Sequence, residues 1–323
     1  MKRRVLGLAV LGILIGAWLG VHHLSSRLIV PKRKKLESHH LKVLADPSNY
    51  GLEIQQLPVV GARGAIIDAV WVTACSQPGE AIKFRRMRRR LGIEEESQLE
   101  ARGTIVLLHG RNGCKEDYLF IAERFCAAGF NCLLMDNRAH GRSEGRFCTF
   151  GRLERVDASA AIDAALEKFG PSIEPIGLWG LSLGGAIALQ TAEQDDRVEA
   201  VVVVNTFANV GDIVVQNGVR YAGQFGVGIA SLVMIESSRR SNANLFQARP
   251  EAAAAQLTIP TMVVHASDDE FIPATHGQRI YERLAGEKIH QVVPNADHWT
   301  VLLRGGDDLY QEMIEYFLDE FEG

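Results

Sequence analysis

The chain has 323 residues, 47% of them apolar and 23% charged, the make-up of one large globular domain or two small ones. Its formal charge of −4 hides an asymmetry: residues 1–35 hold eight Lys or Arg and no acid, which leaves 27 basic against 39 acidic residues, a net −12, for the remainder. An acidic body excludes nucleic acid as an expected partner, because that binding needs a basic face to neutralise phosphates.

The basic end frames an apolar segment. Val5 to Ser26 contains no Asp, Glu, Lys or Arg, and at about 1.5 Å per helical residue it is long enough to cross a hydrocarbon core of about 30 Å. Residues 1–35 are therefore expected to form a single-pass N-terminal anchor with basic flanks, meeting the lipid bilayer through residues 5–26. The rival reading is a cleaved signal peptide with Lys2-Arg3-Arg4 as its basic start, but no A-x-A site follows. Lys and Arg flank both ends of the span, so the positive-inside rule does not choose a side for the catalytic domain expected over 36–323.

Leu52 to Ala74 is rich in Val and Ile, alternates in part and is broken by Gly61 and Gly64, the signature of an antiparallel hairpin. Residues 79–103 then form a charged insertion, with Lys83, Arg85, Arg86, Arg88, Arg89 and Arg90 followed by Glu94, Glu95, Glu96 and Glu100. The plain expectation is a solvated, self-neutralising segment. The sharper one is a basic amphipathic helix with Ile82, Phe84, Met87 and Leu91 touching lipid.

Beyond Arg102, apolar runs alternate with helical patterns. The runs are 104–110, 130–136, 175–180, 199–205 and 260–266, with a last strand at KIHQVV, and such unbroken runs suit strands buried on both faces of a parallel sheet. Helical periodicity marks 116–128, 153–169 and 185–193, giving an open α/β sheet. The long interval 206–258 is expected to place helices over the end of the sheet as a cap region. Cys75, Cys114, Cys126, Cys132 and Cys148 show no C-x-x-C pair, so they read as small buried side chains and no metal site is expected. No G-x-G-x-x-G follows a strand, and no cofactor is expected.

The pattern G-x-S-x-G occurs twice, at Gly141–Gly145 around Ser143 and at Gly180–Gly184 around Ser182. A nucleophile elbow needs a buried strand, a sharp turn with small neighbours and a helix starting at once. The Ser182 copy has all three, whereas polar NRAH precedes the Ser143 copy and no helix follows it, so Ser143 reads as a loop residue. A serine hydroxyl needs an imidazole base oriented by a carboxylate. His298 lies in a loop between the last strand and the C-terminal helix, at the sheet edge where sites collect, while His276 and His290 fall in a helix and a strand. The acid should follow an intervening strand, and Asp268, Asp269 and Glu270 end such a strand; Asp297 is the less favoured orienter, because adjacent side chains seldom achieve the required imidazole geometry.

On LLHGRNG (107–113), MDNRAHGRSEG (135–145), GLSLGG (180–185), HASDDEFIP (265–273) and ADHW (296–299), with NYGLE (49–53) as lead-in, the chain resembles α/β-hydrolases of the serine-hydrolase superfamily. It resembles in particular the membrane-anchored Bem46-like and ABHD-type group. Ala139 and Ala266 stand where that group usually has Gly. The resemblance implies an α/β-hydrolase fold with a mostly parallel eight-stranded sheet, helices on both faces and an N-terminal transmembrane helix. Its register selects Asp269 as the acid, with Asp268 in reserve, and adds the backbone N–H of Arg111 to that of Leu183 as oxyanion donors. The expected activity is hydrolysis of a small-molecule acyl substrate, an ester, thioester or amide, through an acyl-enzyme on Ser182. A serine peptidase, an acyltransferase or a catalytically silent membrane-tethered binding module on the same fold is the alternative.

Overall fold

The computed structural model describes residues 2–322 apart from 95, 96, 98 and 99; of residues 2–11 and 13 only the helical backbone is described. Glu95 and Glu96 of the charged insertion lie outside the described residues. The chain opens with helix α1 (Lys2–Ile29) and the short α2 (Ser38–Ala45). The expected hairpin follows as β1 (Leu52–Val60) and β2 (Ile66–Ala74), antiparallel, with Leu52 opposite Ala74. Next come α3 (Ile82–Arg90), β3 (Thr104–Leu108), α4 (Leu119–Ala127), β4 (Asn131–Met135), α5 (Glu154–Phe169), β5 (Ile176–Leu181), α6 (Leu183–Ala192) and β6 (Val198–Val204). Then α7 (Val210–Ala222), α8 (Phe225–Ser241), α9 (Pro250–Ala254), β7 (Thr261–Ala266), α10 (Thr275–Arg283), β8 (Lys288–Val293) and α11 (Val301–Glu322) complete it. The eight strands form one sheet in the order β1-β2-β4-β3-β5-β6-β7-β8, parallel from β4 to β8 with β1 and β2 antiparallel at one edge.

The apolar runs are central strands because successive side chains leave a strand on opposite faces. Val106, Leu108 and Leu178 enter one core, with Ile162 and Ala165 of α5 and Ile187 and Leu189 of α6. Their neighbours Ile105, Leu107 and Trp179 enter the other, with Phe125 of α4 and Phe317 of α11. A strand polar on either face would leave unpaired groups in one of these layers.

Two expectations change. The 79–103 segment is no free-standing insertion and does not aim its apolar side at lipid: α3 turns Phe84 and Met87 into the second core, while Arg86 pairs with Asp307 and Arg90 with Asp308 of α11. Among the described residues no helix is long and apolar enough to cross a membrane, and the expected span 5–26 includes residues 5–11 and 13, whose side chains lie outside the described ones. The last turn of α1 and the residues after it belong to the domain. Ile29 is fully buried in the first core, the Cys148 N–H donates to its carbonyl at 2.8 Å, and Arg33 donates to the carbonyls of His140, Gly141, Ser143 and Gly145.

Candidate active site

Between β5 and α6 there is a single residue, Ser182, at φ 56° and ψ −115°, a backbone shape that L-residues rarely adopt. It is held there from both sides. The Ser182 N–H donates to Val204 O of β6 at 2.8 Å, and its carbonyl accepts from Ala186 N at 3.2 Å, so α6 starts on the serine itself. The turn is tight enough to demand glycine by contact. A Cβ at Gly180 would sit 2.3 Å from the Gly184 carbonyl, and one at Gly184 would sit 1.8 Å from Leu108 O.

Two further loops at the carboxyl edge of the parallel strands meet this turn. His298, between β8 and α11, places Nε2 3.1 Å from Ser182 Oγ and Nδ1 2.6 Å from Asp269 Oδ2. The second Asp269 oxygen accepts the N–H groups of Phe271 and Ile272 at 2.9 and 2.7 Å, which fixes the carboxylate and leaves its other oxygen for the imidazole. With Nδ1–H donating to Asp269, Nε2 is the acceptor for the serine hydroxyl. Ser182, Asp269 and His298 are all buried.

The other candidates separate cleanly. Asp268 and Glu270 are exposed, and Asp268 takes the Ser267 hydroxyl at 2.9 Å. Asp297 is exposed too and caps the turn at Trp299 and Thr300. Ser143 is fully buried, donates to Asp136 O at 2.6 Å and accepts Asp68 N–H at 2.8 Å, a strut between β2 and the loop after β4. His109 donates through Nδ1 to Gly110 O and accepts Asn137 N–H on Nε2, and its burial lowers its pKa. It is a structural bonder.

Leu183 is the first residue of α6, where N–H groups have no acceptor within the helix. The turn carrying Arg111 flanks the serine: a Cβ at Gly110 would lie 3.6 Å from Ser182 Cβ. The Arg111 guanidinium reaches the other way, to Arg27 O and Leu28 O at the end of α1. Asn205 is a residue that sequence reading passed over. Lying just after β6 at φ 48°, it donates through Nδ2 to His298 O at 3.3 Å and accepts Ala266 N–H at 2.8 Å, so one amide ties the histidine loop to the strand that leads to Asp269. The available signal was a polar residue closing the apolar run EAVVVVN at the carboxyl edge.

All five cysteines are free and buried. His39, His40 and Asp117 gather three possible metal ligands, but Lys34 Nζ already lies 2.7 Å from the Asp117 carboxylate. A cavity of about 520 Å³ lies by the amino ends of the parallel strands, near Thr73, Cys75 and Phe130, and none of Ser182, Asp269 and His298 lines it.

Residues 99–242 match the family described as serine aminopeptidase, S33. The chain is 29% identical over 232 residues to a monoacylglycerol lipase of Mycolicibacterium smegmatis, covering 62% of this chain and 82% of the lipase. It is 31% identical over 126 residues to the protein bem46 of Schizosaccharomyces pombe, covering 38% and 41% of the two chains. In three dimensions it is similar to the Pyrococcus furiosus esterase Pf2001, with a TM-score of 0.64 at 17% identity over 91% of this chain and 99% of the esterase. The chain has the fold of the α/β-hydrolases and is similar in sequence to members of that group. The family match spans the Ser182 elbow and stops short of Asp269 and His298, so the meeting of those two residues with the serine rests on the geometry of their loops.

Proposed function

We propose that the protein is a membrane-anchored serine hydrolase that cleaves an ester, thioester or amide of a small acyl substrate. The observation that carries this reading is the continuous chain from Ser182 Oγ to His298 Nε2 and from His298 Nδ1 to Asp269 Oδ2, at 3.1 and 2.6 Å. His298 takes the Ser182 proton as Oγ attacks the acyl carbonyl, and Asp269 stabilises the imidazolium without itself being protonated. The tetrahedral oxyanion is received by the N–H groups of Leu183 and Arg111, each worth on the order of 3 kcal/mol of barrier. His298 then returns the proton to the leaving group, and water, activated by the same imidazole, releases the acid. Exposed Phe271 and Trp299 pack edge-on against the His298 ring and offer an apolar rim for an acyl chain. In this reading α1 enters the bilayer through the part of residues 5–26 that precedes Val21, the remainder being packed on α8.

A fluorophosphonate probe tests the assignment: it should label the wild type and fail to label Ser182→Ala. Labelling that survives Ser182→Ala and disappears in Ser143→Ala overturns it. The family's description favours one further reading, a peptidase using the same acyl-enzyme. Turnover of amino-acid p-nitroanilides above that of p-nitrophenyl esters would select it.

A further inference from the structure

Helices α7 and α8 present an unusual surface. Residues 221–235 contain no Asp, Glu, Lys or Arg, yet they are not a core segment. One stripe of α8, formed by Gly226, Ala230, Val233 and Met234, is buried, while Phe225, Val227, Ile229, Leu232 and Ile235 are exposed. Tyr221 and Phe225, on either side of the α7–α8 turn, are 85% and 86% exposed. The two helices approach backbone to backbone, since a Cβ at Gly226 would lie 2.0 Å from Gly218 O. Small residues at the crossing with large apolar ones facing outward is the arrangement of helices packed in lipid.

The neighbour of this surface points to what covers it. Helix α1 runs parallel to α8: His22 contacts Glu236, Ser25 contacts Ser237, and Ser26 accepts from Arg240. The amino-terminal halves of both helices therefore extend the same way, with Trp18 level with the stretch around Leu232 at equal helical rise. Leu14, Ile15, Trp18 and Leu19 are all at least half exposed. At the opposite ends of the two helices stand exposed Arg27, Lys32, Lys35 and Arg239. An apolar end above a cationic collar matches hydrocarbon above anionic headgroups, and a patch this size is rarely left to water.

We propose that the α7–α8 hairpin is a second membrane-inserting element, which enters the bilayer beside α1. The proposal rests on the reading of α1 as the membrane segment. The full chain is reconstituted in phosphatidylcholine–phosphatidylglycerol vesicles with one added cysteine at a time, Phe225→Cys, Leu14→Cys or Ser172→Cys, each carrying an NBD fluorophore; the native cysteines are buried. Ser172 is exposed at the amino edge of the sheet. Expected is strong quenching of the label at 225 by nitroxide-tailed lipid, with protection from aqueous dithionite, as at 14 and unlike at 172. A label at 225 that behaves like that at 172 while the one at 14 is quenched overturns the proposal and leaves the anchor standing. Labels at 14 and 225 that both escape lipid overturn proposal and anchor together. A label at 225 shielded from dithionite but not quenched by lipid, with a doubled mass in detergent, overturns it in favour of a second copy of this chain. Fluorophosphonate labelling of Ser182 in the same samples reads the hydrolase assignment separately.

Discussion

Replacing Ser182 by Gly and by Ala separates the strain of the elbow from its chemistry. Both variants lose the hydroxyl and its 3.1 Å contact with His298, so both should be inactive. They differ in what the backbone bears. At φ 56° and ψ −115° a residue with a Cβ costs about 1–3 kcal/mol; Ala keeps that cost and Gly removes it. Glycine adds about 0.5–1 kcal/mol of freedom to the unfolded chain, so Ser182→Gly should exceed Ser182→Ala in stability by about 0.5–2 kcal/mol. For a domain of this size that is about 1–6 °C in Tm. Thermal unfolding followed by circular dichroism in one detergent, with p-nitrophenyl ester turnover measured alongside, reads both quantities. A Gly variant that melts at or below the Ala variant refutes the claim that the serine is held in strain by Val204 and α6.

Asp269→Asn should lower kcat by about 10³–10⁴-fold, because the amide favours the wrong imidazole tautomer, whereas Asp268→Asn should leave ester turnover nearly unchanged; steady-state kinetics of the pair decides between the two acids. Ser143→Ala should keep fluorophosphonate labelling and lose about 1–3 kcal/mol in chemical denaturation, since it strands the buried Asp68 N–H and Asp136 carbonyl. Burial holds His140 down at about 3 and lowers His109 and His276 as well. The unfolded chain therefore binds protons that the native state refuses. Stability should be complete above about pH 6.5 and fall as the pH drops toward 3, with His140 alone giving a slope of up to about 1.4 kcal/mol per pH unit. Urea titrations at pH 7, 5 and 4 should show that slope reduced in His140→Gln; an unchanged slope counts against it. A chain begun at Val21 should match the parent in denaturant, whereas one begun at Lys42 should lose about 2–4 kcal/mol through exposure of the Ile29 site.

The sheet was legible because burial on both faces leaves an unmistakable mark: IVLL, CLLM and VVVV are strands, and the elbow is readable where such a run meets G-x-S-x-G and then a helical pattern. Bare motif matching was insufficient, since Ser143 carries the same five-residue pattern; the loop around it shows only that its hydroxyl is a buried strut. Asp269 was legible as one of three acids but not from the residues alone, because the distinction lies in which side chain accepts the Phe271 and Ile272 N–H groups, a property of turn geometry. Asn205 left almost no trace, as a single amide joining two loops has no periodicity. The reach of α3 into the core was obscured by its six basic residues: Phe84 and Met87 are enough to bury one side of a helix whose remaining face is charged.

The packing of the domain begins ahead of the boundary expected at residue 35, and this bears on the chemistry. Composition changes where the charge-free run ends, but packing changes earlier, at Val21, so the last turns of α1 are part of the hydrolase domain. Arg33 then binds the carbonyls of the loop that holds the second G-x-S-x-G, which gives that loop a structural purpose of its own. Arg111, beside the serine, grips the final carbonyls of α1 with its side chain while its backbone N–H is the proposed oxyanion donor. Helix α1 thus ends on the turn that flanks Ser182, and any shift of α1 along its axis bears directly on that turn.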